Sequence, residues 1–228
     1  LKAQLQARDE VEKAGGELAV FIATSHKSVI TLGKRSQPLK DILVPFETLR
    51  RKKIEIVNTE RGGQTTFHNP GQLVIYPILP LRAWGASVRD YVAALERTTA
   101  MLCAEFGIEV TSGAEPGLWV DNKKIAAFGI RIDRGVSLHG LALNICNSLE
   151  DFGLILKCGT QSAVTCLHDE MTSFMMESPN WDLEELARRW LEIFNEEIAA
   201  GFKVPAAEEF QMKELAAQPM ALNLPLSE

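Results

Sequence analysis

Three short stretches of this chain hold residue types that can do covalent chemistry. The run LILKCGTQ places Cys158 between an apolar segment and Gly159, with Lys157 beside it. A thiol at such a junction can open onto a pocket. A thiolate beside an ammonium is a competent acyl acceptor, because the cation favours the charged form of sulfur. The run DNKKIAAFGIR contributes Lys123 and Lys124. Lys123 is expected in a turn with its ammonium in water, whereas Lys124 opens an apolar strand and is costly to bury unless paired. The third stretch, RGGQTTFHNPGQLVIYP over 61–77, sets Gly62, Gly63, two threonines, His68 and an Asn-Pro-Gly turn directly before an apolar strand. A Gly-Gly pair lets the backbone approach a ligand closely, and Arg61 and His68 add a fixed cation and a titratable ring. Each stretch also has a plainer alternative: a small buried thiol, a strand-edge lysine that snorkels, an ornate hairpin loop.

Other chemistries find no footing. Cys158, Cys166 and His168 are spaced C-x7-C-x-H, unlike zinc hooks or a helical histidine pair, and no metal is expected. Ser162 and Ser173 lie in no nucleophile elbow, and no glycine-rich phosphate loop is present.

The elements that must position these residues read as follows. Residues 2–14 form a short helix stopped by Gly15-Gly16. Strands are expected over 17–25, 28–33, 53–60 and 72–79. A helix over 88–106 carries its apolar residues at helical spacing, with Ser87 and Asp90 as a capping box and Gly107 as its stop. Consecutive strands follow over 117–145, separated by turn-like DNKK and DRG. A last long helix over 183–200 presents Leu186, Trp190, Phe194 and Ile198, capped by Asn180 or Asp182. The fold class is α+β: a mixed or antiparallel sheet flanked by helices, with 1–205 as a single catalytic domain and 206–228 as a loosely packed tail.

The 228 residues, 46% of them apolar, can bury a core without disulfides. The four cysteines show no paired spacing and no run approaches a membrane span, so free thiols in the cytoplasm are expected. A net charge of −6 argues against nucleic acid as a partner. Lys34-Arg35 and Arg50-Arg51-Lys52-Lys53 are local basic exceptions that could dock an acidic protein.

Taken together, the stretches resemble the lipoyl(octanoyl) transferase family. HKSVITLGKR (26–35) resembles the family's EHPPVYTLGRR, and RGGQTTFHNPGQLVIYPIL resembles RGGxxTYHGPGQLVxYPIL. Leu95-Glu96 and PGLWV (116–120) fall in order. KKIAAFGIR is similar to KIAAIGVR, HGLALNI (139–145) to HGLALNV, and DFGLILKCG to a run ending in PCG. The likeness covers roughly 18–167. It implies the fold of biotin and lipoate protein ligases and the transfer of an octanoyl group from acyl carrier protein to a lysine of a lipoyl domain. Expected acceptors are the 2-oxoacid dehydrogenase E2 subunits and the glycine cleavage H protein. The family's nucleophile maps onto Cys158 and its lysine onto Lys124. Its acyl-binding segments map onto Arg61, Gly62, Gly63, Gln64, Thr65, Thr66, Phe67 and His68, onto Ala127, Phe128 and Gly129, and onto Gly140, Leu141 and Ala142. His68 and His139 are rival general bases, His139 from just outside the site. No cofactor is implied, since phosphopantetheine delivers the acyl group, and a monomer is expected. An ATP-dependent lipoate ligase and an idle acyl-binding or lipoyl-domain-binding module are the alternatives. The chain departs from the pattern at Ser28, Phe67, Asn69 and Lys157; Asn69 stands for a glycine, and asparagine tolerates positive φ.

Overall fold

The structure, a computed structural model, describes residues 1–113, 116–156, 163–172, 181–204 and 211–214. Lys157 and Cys158 therefore lie outside the described residues. In chain order the elements are α1 (Lys2–Lys13), β1 (Leu18–Thr24), β2 (Val29–Leu32), α2 (Pro38–Asp41), α3 (Phe46–Arg51), β3 (Glu55–Asn58), β4 (Thr66–His68) and β5 (Gln72–Ile78). They continue with α4 (Val88–Glu105), β6 (Thr111–Ser112), β7 (Gly117–Val120), β8 (Lys123–Asp133), β9 (Val136–Asn144), a 3-10 turn at Glu150–Leu154, α5 (Leu167–Thr172), α6 (Leu183–Gly201) and β10 (Gln211–Glu214).

The arrangement is the expected α+β. Seven strands form one sheet in the order β10-β1-β5-β9-β8-β7-β6, antiparallel except where β10 joins β1. A second sheet, β3-β2-β4, has three strands. The apolar stripes of α4 and α6 explain why they lie against the large sheet: Tyr91, Leu95 and Leu102 join Trp190, Phe194 and Ile198 in one core with Phe21, Leu73 and Leu143. On the opposite face α1 buries Ala7 and Val11 against Val20, Ile22, Ile78 and Leu138. A smaller core under the second sheet joins Ile30, Leu49 and Phe67 to Phe152 and Ile155.

Local signals set the ends. α1 stops before Gly15 and Gly16, which turn with φ of 62° and 120°. At α4 the Ser87 hydroxyl accepts from the Asp90 N–H at 3.1 Å while the Asp90 carboxylate accepts from the Ser87 N–H at 3.3 Å. At α6 the Asp182 carboxylate accepts from the N–H groups of Glu184 and Glu185. Arg134 and Gly135, both at positive φ, close the two-residue turn between β8 and β9. Among the described residues no helix is long and apolar enough to cross a membrane.

Three details differ from the sequence reading. The turn before β8 consists of Asp121 and Asn122, so Lys123 starts the strand, and its ammonium pairs with the Glu170 carboxylate of α5. That pairing offsets the loss of water around both groups. Asn69 does not use its tolerance of positive φ. It is held by its side chain, which donates to the Ser148 carbonyl at 2.7 Å and accepts from Asn147 at 3.0 Å. The basic clusters are partly neutralised, with Lys34 beside Glu60, Arg50 beside Glu47 and Lys52 beside Asp151.

Candidate functional site

The two sheets meet over a cavity of about 200 Å³. Its floor is the paired centre of β8 and β9, where Ala127 faces Ala142, Phe128 faces Leu141 and Gly129 faces Gly140. Its roof comes from β2, β3, β4 and the loop before β4. One glycine lets these layers close and another lets β9 lie tight against β5 within the large sheet. The Gly62 N–H donates to the Ile130 carbonyl at 2.8 Å, and a Cβ on Gly62 would lie 2.9 Å from that same oxygen. A Cβ on Gly140 would lie 2.2 Å from the Ile75 carbonyl oxygen of β5. Gly140→Ala is therefore expected to push β9 off β5 and to cost about 1–3 kcal/mol, read as a fall in chemical-denaturation stability.

Of the residues expected to bind the acyl group, Arg61, Gly63, Thr66, His68, Ala127, Phe128, Gly129, Gly140, Leu141 and Ala142 line this cavity, and His139 joins them. Gly62 and Gln64 line an adjoining cavity of about 210 Å³ beside Arg35 and Phe128. The structure does not bring Thr65 and Phe67 to either. Side chains alternate along β4, so Thr66 and His68 face the cavity while Thr65 donates to the Asp41 carboxylate at 2.6 Å and Phe67 packs edge-on against Phe152 at 5.3 Å.

Lys124 borders a separate, smaller pocket beside the cavity between the sheets. It is 7% exposed, and its Nζ lies 4.7 Å from the centre of the Trp119 ring. With Thr66, Ala127 and Ala142, which also line the cavity between the sheets, it borders a pocket of about 30 Å³ that includes Gln72, Asn144 and Val164. Its main chain is held by residues five and seven positions after Cys158: the Lys124 N–H donates to the Ala163 carbonyl at 2.8 Å, and the Thr165 N–H donates to the Lys124 carbonyl at 3.0 Å.

The polar end of the cavity between the sheets gathers three of the four histidines, His26, His68 and His139, around Tyr76. His26 and Tyr76 share a hydrogen bond of 2.7 Å. Burial disfavours the protonated form of all three rings: it lowers His26, takes His68 down to about 3 and takes His139 down to about 4, with Arg61 adding to the last two shifts. Burial also pushes the Tyr76 hydroxyl up. His139 sits at φ 57°, unusual for a residue within a strand. Its N–H donates to the Gln4 side chain of α1 at 2.8 Å, while its Nε2 is buried with no hydrogen-bond partner among the described residues. The described thiols offer little nucleophilicity, since burial pushes Cys103 and Cys166 up to about 12 and raises Cys146.

Sequence reasoning did not single out His26, Thr31, Gln72, Tyr76 or Asn144. The available signal was polarity in the wrong place: Gln72 and Asn144 end apolar strands yet are buried.

Comparison with known proteins agrees with this fold. A family model described as the lipoyl protein ligase A/B catalytic domain matches residues 4–195. An octanoyltransferase of Halorhodospira halophila is 45% identical over 63% of this chain, and that match spans 64% of the relative's own length. An octanoyltransferase of a Thermoanaerobacter species is 38% identical over 85% of this chain and 82% of its own. Among solved structures, the bipartite lipoate protein ligase of Thermoplasma acidophilum superposes with a TM-score of 0.67 at 13% identity, over 95% of this chain and 83% of that one.

Proposed function

Because the chain belongs to the lipoyl protein ligase A/B catalytic-domain family, we propose that it is an octanoyltransferase with a Cys158–Lys124 dyad. It takes an octanoyl group from octanoyl-acyl carrier protein and delivers it to a lysine of a lipoyl domain, such as those of 2-oxoacid dehydrogenase E2 subunits or the glycine cleavage H protein. The observation that carries this reading is the position of Lys124. It is buried in a small pocket that shares three lining residues with the cavity between the sheets, and its main chain is bonded to Ala163 and Thr165, five and seven positions after Cys158. The relatives named octanoyltransferase support the same activity.

In the first step the Cys158 thiolate attacks the donor's thioester carbonyl. The new C–S bond forms as the carrier's C–S bond breaks, and the departing thiolate takes a proton from the Lys124 ammonium. In the second step the amine of the acceptor lysine attacks the acyl-enzyme. An amide forms, the Cys158 sulfur leaves, and the amine's surplus proton returns to Lys124. Both donor and intermediate are thioesters, so the transfer runs without nucleotide. His68 and His139 are poor rivals as general bases, because burial disfavours their protonated forms.

The test supplies octanoyl-acyl carrier protein and an apo lipoyl domain in the absence of ATP. Octanoylated acceptor is the expected product. Product that appears only with free octanoate and ATP, with AMP released, would assign the chain to ligation instead. Binding of either protein with no acyl transfer under both conditions would make it a binding module.

A further inference from the structure

A line of hydrogen bonds crosses the site, and all of its donors point the same way. The direction is fixed at one end by main chain. The Thr165 carbonyl can only accept, so Asn144 presents its amide nitrogen there, at 2.9 Å. That leaves the Asn144 oxygen to face Gln72, whose own nitrogen donates to it at 2.9 Å, with Asn147 as a second donor at 3.3 Å. The Gln72 oxygen then faces His68, whose Nδ1 lies 2.7 Å away and must carry the proton. The His68 Nε2 is left as an acceptor, 3.4 Å from the Thr31 hydroxyl. That hydroxyl receives Arg61 Nε at 3.1 Å and a second Arg61 nitrogen at 3.0 Å, so its hydrogen is available to His68. Beyond Thr165 the line continues, because the Thr165 N–H donates to the Lys124 carbonyl.

We propose that Gln72 and Asn144 are positioning residues, completing a one-way relay from the Arg61 guanidinium through Thr31 and His68 to the main chain of Lys124. The relay locks His68 as its Nδ1–H tautomer and engages both ring nitrogens, so His68 orients the site and exchanges no proton with substrate. It also ties the cavity's polar end to the segment that grips Lys124. Aligned donors in a buried chain polarise one another, and Gln72, Asn144 and His68 are all buried. The catalytic consequence rests on the octanoyltransferase reading above; the relay itself does not.

The experiment uses the full chain labelled with nitrogen-15 at histidine. In the wild type the His68 ring is expected to show Nδ1–H and a lone pair on Nε2, unchanged between about pH 5 and 8. The groups facing it that carry charge or titrate are His26, Arg61 and His139. Gln72→Glu keeps an acceptor for His68 but offers no donor to Asn144, and its charge favours the imidazolium. In that variant His68 is expected to titrate within the same pH window, and octanoyl transfer is expected to fall about 10²-fold and to become pH-dependent. Asn144→Asp removes the donor to Thr165 and is expected to give a similar loss, with the melting temperature of both variants followed as a control. A wild-type ring carrying its proton on Nε2 would overturn the relay. Gln72→Glu with unchanged ring signals and an unchanged pH profile would overturn the positioning role, even if the variant were less stable. Ring spectra need no substrate. A chain with the expected tautomer but no octanoyl transfer would sink the transferase reading, whereas transfer with the opposite tautomer would sink only the relay.

Discussion

Cys158→Ala is expected to abolish the acyl adduct and to lower octanoyl transfer by at least ~10⁴-fold, the scale on which enzymes lose rate with their nucleophile. Lys124→Ala is expected to be milder, at ~10²–10⁴-fold, because it removes proton transfer but leaves the sulfur. The order of these losses follows from the chemistry: without the thiol there is no intermediate, whereas without the amine water can carry the proton slowly. Intact mass after incubation with octanoyl-acyl carrier protein reads the adduct directly, and single-turnover rates with an apo lipoyl domain read the second step. No other described cysteine should inherit the role. Cys103 and Cys166 are buried with their thiols pushed up to about 12, and the Cys146 thiol is raised in the same direction. Cys103→Ser and Cys166→Ser should therefore keep the adduct. An adduct that persists in Cys158→Ala, or that disappears in Cys166→Ser, would move the nucleophile elsewhere.

The second large effect is on stability in mild acid. Burial holds His68 at about 3 and His139 at about 4, below the ordinary value of 6.5 that each regains in the unfolded chain. Between those limits the unfolded chain binds more protons than the folded one. Stability is then fully present above pH 6.5 and declines as pH falls through 6.5 toward the folded values. From pH 7 to pH 5 each ring should cost roughly 2 kcal/mol, or on the order of 3–4 kcal/mol for the pair. Urea unfolding at the two pH values measures this. His68→Gln and His139→Gln should each flatten the dependence while changing stability at pH 7 as well. A stability independent of pH across this range would mean that the rings are less enclosed than their surroundings indicate.

What could be seen in the sequence was whatever depends on near neighbours. The stripe Leu186, Trp190, Phe194 and Ile198 marks α6, and the Ser87–Asp90 pair marks the start of α4, because both signals act within one or two helical turns. The alternation that sends Thr66 toward the cavity and Thr65 away from it follows from strand geometry once β4 is known to exist. β4 itself was hidden: three residues inside a glycine-rich stretch form a strand only because β2 pairs with them. Lys123 was hidden for a similar reason, since its partner Glu170 is 47 positions away. The tautomer of His68 depends on Gln72, whose orientation depends on Asn144 and then on Thr165, a chain of dependencies that no local pattern encodes. Family resemblance supplied the identity of the site residues, while only coordinates could separate those that face the cavity from those that support it.

β10 carries a consequence for how the chain can be cut. Gln211–Glu214 runs alongside Leu18–Phe21 and forms the outermost strand of the large sheet on that side. A protein trimmed at 205 would leave the outer rim of β1 with unsatisfied amides and carbonyls, in a strand that is nearly all apolar. Such a rim is a template for a second molecule. β10 thus serves as a guard against self-association, and its removal should appear first as aggregation rather than as lost chemistry.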